Sequence, residues 1–92
     1  PLMAFVHVHV QQQRLAEITA DLSAIPEVIE AHGLTGAADL LLRIVALDAE
    51  DLFRVNKAIL SVPGVERSDT TLAMGELIPY RVAPLLERGP AG

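Results

Sequence analysis

The residues of this sequence that are best suited to chemistry are its three histidines. His7 and His9 stand two residues apart in the alternating stretch AFVHVHV. In a strand, such residues project from one face roughly 6.6–7 Å apart, and a neighbouring strand could bring His32 beside them. Imidazoles so arranged can bind zinc, but no acid at ligand spacing along the chain completes the set. We therefore expect a hydrogen-bonded, pH-sensitive dimer surface here, and neither a metal nor a cofactor.

The second candidate is the turn TGAAD, which spans residues 35–39. Gly36 lets a ligand approach the backbone, Thr35 offers a hydroxyl, and Asp39 offers a carboxylate that could meet an amino group. The competing interpretation is structural. In that case Gly36 supplies a positive φ and Asp39 bonds the backbone of its own turn. The residues alone favour the structural interpretation.

Catalysis by the histidines is the third possibility. Small dimeric α+β barrel enzymes include isomerases and oxygenases that use a histidine in the sheet cavity, and such a role needs an open cleft with a perturbed acid or base. The sequence offers no set of nucleophile, base and orienting group. It also has no cysteine, which removes disulfides and thiolate chemistry together. We therefore expect a protein that is not an enzyme.

Length and composition predict one small aliphatic domain that associates with copies of itself. The chain has 92 residues, of which 51% are hydrophobic, with two Phe, one Tyr and no Trp. A chain of this size buries about 60–65% of the surface that its unfolded form exposes. Association with further copies is the simplest way to cover the apolar surface that remains.

The charge pattern limits the partners. Seven Lys and Arg residues against twelve Asp and Glu residues give a net charge of −5, and the basic residues are scattered. We therefore expect no direct contact with nucleic acid. No apolar run reaches the ~18 residues that span a bilayer, and the N-terminus lacks the basic start of a signal peptide. These features predict a cytoplasmic protein without membrane contact.

The hydrophobic spacing predicts strands and helices in the order β-α-β-β-α-β. The predicted strands cover residues 4–10, 28–32, 40–47 and 65–74, and the predicted helices cover residues 15–25 and 48–62. This order is typical of the ferredoxin-like α+β plait, in which two helices cover one face of an antiparallel sheet. Asp48 is the predicted N-cap of the second helix.

The other face of the predicted sheet has no cover. By strand phase it carries Phe5, His7, His9, Glu30, His32, Leu41, Arg43 and Val45. This face is too apolar for open solvent and too polar for an ordinary core. Two copies pressed together would give its polar groups partners, which predicts a homodimer. We expect Arg43 to pair with Glu30 on the adjacent strand.

Three spaced motifs add a family resemblance that covers about residues 5–74. They are IPEV at residues 25–28, LTGAADLLLR at residues 34–43 and VPGVERS at residues 62–68. In this order they resemble the C-terminal effector-binding domain of the Lrp/AsnC transcriptional regulators, the RAM domain. That family shows IPEV, a hairpin like TGDYDYLLRV, and LPGV. The resemblance implies binding of an amino acid or a related small molecule where dimers meet, and assembly into octamers or similar rings.

The turn and the hydroxyl residues of the last strand beside it are the residues that we expect to bind the ligand. Those residues are Thr35, Gly36, Ala37, Ala38, Asp39, Ser68, Thr70 and Thr71. Ala37 and Ala38 replace the acid and the aromatic residue that usually follow the hairpin glycine, so that pocket wall is smaller and less charged. Ser68, Thr70 and Thr71 are hydroxyl residues of the final strand. The alternative interpretation is that they only favour strand formation and bind no ligand.

We therefore predict a RAM-like domain over residues 3–76 and a partly docked or flexible tail over residues 77–92. The helix-turn-helix domain that usually precedes a RAM domain is absent, so the chain resembles stand-alone RAM proteins if Met3 is its natural start. Its predicted function is effector binding and oligomerisation in Lrp/AsnC-type transcriptional regulation, alone or with a full-length regulator. The alternatives are the small dimeric enzyme and a purely structural assembly module.

Overall fold

The structure is a computed structural model that describes residues 1–36 and 39–88. Its elements are β1 (Leu2–Val10), α1 (Leu15–Ser23), β2 (Val28–Gly33), β3 (Asp39–Ala46), α2 (Ala49–Leu60), β4 (Val65–Leu72) and α3 (Ala83–Glu87). One turn of 3-10 helix, Gln12–Arg14, leads into α1. The predicted order β-α-β-β-α-β is confirmed, and each bound lies within two residues of the prediction. The short helix α3 in the tail was not predicted.

The four strands form one antiparallel sheet in the order β2-β3-β1-β4. This is the strand order of a ferredoxin-like fold, so the predicted fold class is confirmed. The central pair is β1 with β3, whose register sets His7 opposite Leu41 and His9 opposite Asp39. On its other side β1 pairs with β4, which sets His9 opposite Arg67.

The core lies between the sheet and the helices α1 and α2. Alternate residues of β1 and β3 point into it because side chains in a strand alternate between the two faces. The helices cover them with apolar residues at helical spacing. The buried residues that form this core cluster are Ala4, Val6, Val8, Val10, Leu40, Leu42, Ile44, Ile18, Leu22, Val55, Ile59 and Val62. The predicted aliphatic core is confirmed.

Local interactions define the N-terminus of α2 and the turn that follows the helix. The Asp48 carboxylate accepts a hydrogen bond from the Asp51 backbone N–H at 2.8 Å, which confirms the predicted N-cap. After the helix, Gly64 has a φ of 97°. A Cβ at Gly64 would lie 2.7 Å from Ile18 Cδ1. Glycine therefore lets the turn before β4 approach α1 closely.

An ion-pair network ties α2 to the loop before β2. Arg54 Nη2 lies 2.7 Å from Glu27 Oε2 and 2.7 Å from Asp51 Oδ1. Hydrogen bonding from the guanidinium lowers the pKa of Glu27. The pKa of Asp51 is lowered first by the Leu47 backbone N–H and then by Arg54. Both carboxylates therefore stay ionised at neutral pH and hold the end of the loop in place.

The tail beyond β4 is apolar and exposed. Its large side chains include Met74, Leu77, Ile78, Tyr80, Leu85 and Leu86, each at least 58% exposed. The prediction that part of the tail docks on a neighbour stays a prediction, and residues 89–92 lie outside the described residues. Among the helices of residues 1–36 and 39–88, none is both long and apolar enough to cross a membrane.

Candidate ligand-binding site

The predicted ligand-binding turn connects β2 to β3. The Leu34 N–H donates to the Asp39 carbonyl at 2.9 Å, which closes the hairpin. Gly36 has a φ of 139°, so the predicted positive φ is confirmed. Thr35 and Gly36 are exposed, whereas Ala37 and Ala38 lie outside the described residues. The backbone at Gly36 is therefore open to an approaching group.

The Asp39 side chain is turned toward the open face of the sheet and meets two histidines there. Asp39 Oδ1 lies 2.6 Å from His9 Nδ1, and Asp39 Oδ2 lies 3.3 Å from His7 Nε2. The two imidazole rings are 5.0 Å apart between centroids. The Asp39 side chain is 20% exposed. A carboxylate predicted to meet an amino group of a ligand thus has imidazoles as its nearest partners.

A fourth residue, Arg67 of β4, completes this group. Its Nη2 lies 2.9 Å from His9 Nε2. A guanidinium can only donate, so His9 Nε2 accepts and the ring proton sits on Nδ1, which faces Asp39; we assign the tautomer on that ground. The 2.6 Å contact between His9 Nδ1 and Asp39 Oδ1 is an ion-pair contact and is not among the hydrogen bonds of the structure. As a result, Asp39 Oδ1 is buried without a hydrogen-bond partner among the described residues, and so is His7 Nε2.

Two cavities lie near the hairpin. The smaller, of about 100 Å³, touches the turn through Leu34, Gly36 and Asp39. The larger, of about 350 Å³, is an apolar groove between α1 and β2 whose wall includes Thr19 and Ile29. Binding cavities for small molecules usually measure roughly 300–1,000 Å³. The larger groove has that size, but the smaller cavity is the one that reaches the predicted residues.

The hydroxyl residues predicted on the last strand lie apart from the turn. Ser68 and Thr70 both donate to Asn56 Oδ1 of α2, at 3.2 and 3.0 Å. Thr71 pairs with Phe5 in the sheet register. Because β4 and β2 form opposite edges of the sheet, one protomer does not bring these three residues to the turn. Their ligand role stays a prediction.

A second polar group on the open face was predicted correctly. Arg43 Nη2 lies 2.8 Å from Glu30 Oε1, which confirms the expected pair. Hydrogen bonding from Arg43 is the main reason that the pKa of Glu30 is lowered, and the nearby His32 adds to the effect. His32 Nε2 lies 3.6 Å from Glu30 Oε2 and is not close to His7 and His9 in this register. The three histidines therefore form two separate groups.

Sequence reasoning did not find the group of His7, His9, Asp39 and Arg67. The sequence does indicate where the Asp39 side chain lies. Residue 39 has the same strand phase as Leu41 and Arg43, which the sequence predicts on the open face. Because Asp39 was interpreted only as a turn residue, its contact with the histidines on the open face was not predicted. The contact of His9 with Arg67 depends on how β1 and β4 pair, and no local pattern gives that register.

Comparison with known proteins defines the class of this domain. The Lrp/AsnC ligand-binding domain model matches residues 3–83. The chain belongs to the Lrp/AsnC ligand-binding domain family, which confirms the resemblance seen in the motifs. The HTH-type transcriptional regulator FL11 of Pyrococcus horikoshii is 30% identical over 73 residues, which cover 79% of this chain and 48% of that protein. The chain thus spans about half the length of this curated relative.

Solved structures show the same fold. TTHA0845 from Thermus thermophilus is 32% identical, with a TM-score of 0.74, and the match covers 87% of this chain and 100% of that one. The transcriptional regulator NMB0573 from Neisseria meningitidis, in a complex with L-Met, is 24% identical with a TM-score of 0.78. That match covers 91% of this chain and 58% of the Neisseria protein.

Proposed function

We propose that this domain binds a small amino-acid-like effector at the hairpin turn, and that binding biases the assembly of an Lrp/AsnC-type transcriptional regulator. The observation that carries the proposal is the family match, because residues 3–83 include the turn and all of the sheet except Leu2. The L-Met complex of the Neisseria neighbour supports an amino acid as the class of ligand.

Only a few polar groups of the turn would contact the amino-acid ligand. The exposed backbone at Gly36 and the Thr35 hydroxyl can bond a carboxylate, and Asp39 can accept from an ammonium if it turns away from a histidine. The adjoining cavity of about 100 Å³ is small for an amino acid. We therefore infer that a second subunit completes the pocket, and Ser68, Thr70 or Thr71 of that subunit are the predicted contributors.

The open face of the sheet is the surface we propose for homodimer formation. Phe5 is 36% exposed there, and Leu41 and Val45 are only partly covered. Apolar side chains beside the Glu30–Arg43 pair would give a mixed interface whose polar groups already have partners. The C-terminal tail is the surface we propose for assembly of dimers into larger oligomers, because its apolar side chains are exposed.

The mechanism is allosteric and needs no chemical reaction. A ligand held between subunits favours the assembly that binds it more tightly, by its difference in affinity for the two states. The acidic chain would leave DNA contact to the helix-turn-helix domain of a regulator, either in a longer form of this protein or in a partner.

The experiment is calorimetric titration of an amino-acid panel in the presence of a chelator, with native mass spectrometry of the same samples. Thr35→Val should weaken binding roughly 5–10-fold through loss of one hydrogen bond. Asp39→Ala should weaken it more, by about 1.5–3 kcal/mol, the range for a charge-assisted bond. Both variants should keep the fold, as checked by thermal melts.

Thr19→Val is the matched control, because Thr19 donates to the Leu15 carbonyl and lines the larger groove. If Thr19→Val alone weakens binding, the ligand occupies the groove between α1 and β2 and the proposed site is wrong. Turnover of an amino acid without a change of oligomer mass would instead favour the enzyme alternative.

A further inference from the structure

His7, His9 and Asp39 place three metal-ligating groups at one end of the open face. One ligand atom from each residue lies within 4.8 Å of the other two. The histidines share a face of β1, and the register with β3 sets Asp39 directly opposite His9. Because all three stand on sheet strands, their backbones are held at fixed spacing.

We propose that these three residues bind one divalent ion of the first transition series, such as Zn²⁺. Two imidazoles with one carboxylate are a donor set typical of zinc and non-haem iron sites. An all-oxygen set would be expected for calcium or magnesium. The site shares Asp39 with the proposed amino-acid site, but metal binding by these three residues does not depend on the proposed function.

The hydrogen bonding of the group supports a cation there. Asp39 Oδ1 and His7 Nε2 are buried atoms without a hydrogen-bond partner among the described residues. The cationic side chain in contact with the group, Arg67, bonds His9 and not the carboxylate. A metal ion between the three side chains would satisfy both orphaned atoms at once.

The distances between the donor atoms are near those of a tetrahedral metal site, so metal binding needs only a small rearrangement. Metal–ligand bonds of about 2.0–2.2 Å in a tetrahedral site separate donor atoms by roughly 3.3–3.5 Å. The distance from His7 Nε2 to Asp39 Oδ2 is already 3.3 Å, and the distance from His9 Nδ1 to Asp39 Oδ1 is 2.6 Å. Small rotations of partly exposed side chains bring the set to bonding geometry. Three protein ligands leave one position open to water.

Arg67 opposes metal binding in this arrangement. By donating to His9 Nε2 it keeps the ring proton on Nδ1, the nitrogen that the metal needs. Metal binding therefore requires the proton to move to Nε2 and Arg67 to leave. Asp69 lies opposite His7 on the same strand β4 as Arg67, and its negative charge favours a cation nearby. Arg67 thus sets the affinity of the site.

The first test is calorimetric titration of Zn²⁺ into the full chain at neutral pH, in a buffer that does not chelate metals. We expect one zinc per chain. His7→Gln, His9→Gln and Asp39→Asn should each weaken binding by at least roughly 10–100-fold, the loss known even for outer-shell partners of metals. Thermal melts establish that each variant is folded.

His32→Gln is the matched control, since His32 is on the same face but is 62% exposed and contacts Glu30 instead. It should bind zinc as the parent does, and so should Thr35→Val, which separates the metal site from the proposed amino-acid site. Equal loss in His32→Gln would show adventitious histidine coordination. That result, absence of zinc binding, or full affinity in His7→Gln would each overturn the proposal.

The second test concerns Arg67. Arg67→Met removes the donor to His9 and should tighten zinc binding by about tenfold, as expected for a residue that acts on a metal ligand from outside. NMR of the ring nitrogens should show the proton of His9 on Nδ1 without metal and on Nε2 with zinc. An unchanged tautomer on zinc addition, or weaker binding in Arg67→Met, would contradict the role assigned to Arg67.

Discussion

The two faces of the sheet are built from the same strands but have opposite compositions. Along β1, Ala4, Val6, Val8 and Val10 are at most 2% exposed and face the helices. The residues between them include Phe5, His7 and His9, which lie on the open face and stay partly exposed. One strand therefore contributes both the core and the candidate sites, because its side chains alternate with a period of two.

The difference between the two faces shows where a domain of this size can place its polar side chains. Among residues 1–36 and 39–88, every fully buried side chain is hydrophobic. The ion pairs of the sheet lie on the open face, where Glu30 meets Arg43 and Asp39 meets the histidines. Cross-strand neighbours satisfy one another there without the full cost of burial. The helix side gives stability, and the open side is free to bind.

The largest effect should come from comparing neighbouring leucines of β3. Leu42 is 0% exposed and faces the helices, so Leu42→Ala should lower the free energy of unfolding by about 2–5 kcal/mol. Leu41 faces the open side, and Leu41→Ala should cost about 1 kcal/mol or less at a protein concentration low enough to dissociate the proposed dimer. Urea denaturation at one protein concentration measures both. Equal losses would mean that the open face is packed as tightly as the core.

The next effect concerns assembly through the open face. Phe5→Asp should raise the dimer dissociation constant roughly 30-fold or more, corresponding to about 2 kcal/mol for an apolar residue within an interface. Phe53→Asp is the control, because Phe53 is 71% exposed on α2. Native mass spectrometry over a dilution series measures the dissociation constants. A parent protein that is monomeric at micromolar concentration, or a larger effect of Phe53→Asp, would contradict the proposed interface.

The smallest effect should be the pH dependence of the Glu30–Arg43 pair. The pKa of Glu30 lies below its usual value of 4.5, so the folded state binds this proton less readily than the unfolded state. The pair therefore stabilises the fold above about that pH and loses its effect as the pH falls below it. Glu30→Gln should be slightly less stable than the parent at pH 7, and the difference should vanish in acid.

Glu66→Gln on β4 is the control for that measurement, since Glu66 makes no ion pair with the residues that the structure describes. Denaturation curves of the three proteins from pH 7 to pH 3 give the comparison. A difference between Glu30→Gln and the parent that persists unchanged in acid would show that Arg43 and His32 do not stabilise the ionised carboxylate.

The sequence by itself determined the elements, their faces and the family. Alternation along β1 and β3 and helical spacing in α1 and α2 predicted the core, and Asp48 was correctly predicted as a helix cap. The Glu30–Arg43 pair was also predictable, because a short hairpin fixes how its two strands align. These features depend on residues that are near in sequence, so local geometry is enough to give them.

Only the tertiary structure decided which groups meet across strands that are distant in the chain. Asp39 contacts His7 and His9 because β1 and β3 pair in one register, and Arg67 joins because β4 adds to the other edge of β1. Ser68 and Thr70 bond Asn56 because their strand phase turns them to the helices. Strand order and register result from packing the whole domain, and a slip of one residue would send each of these side chains to the opposite face.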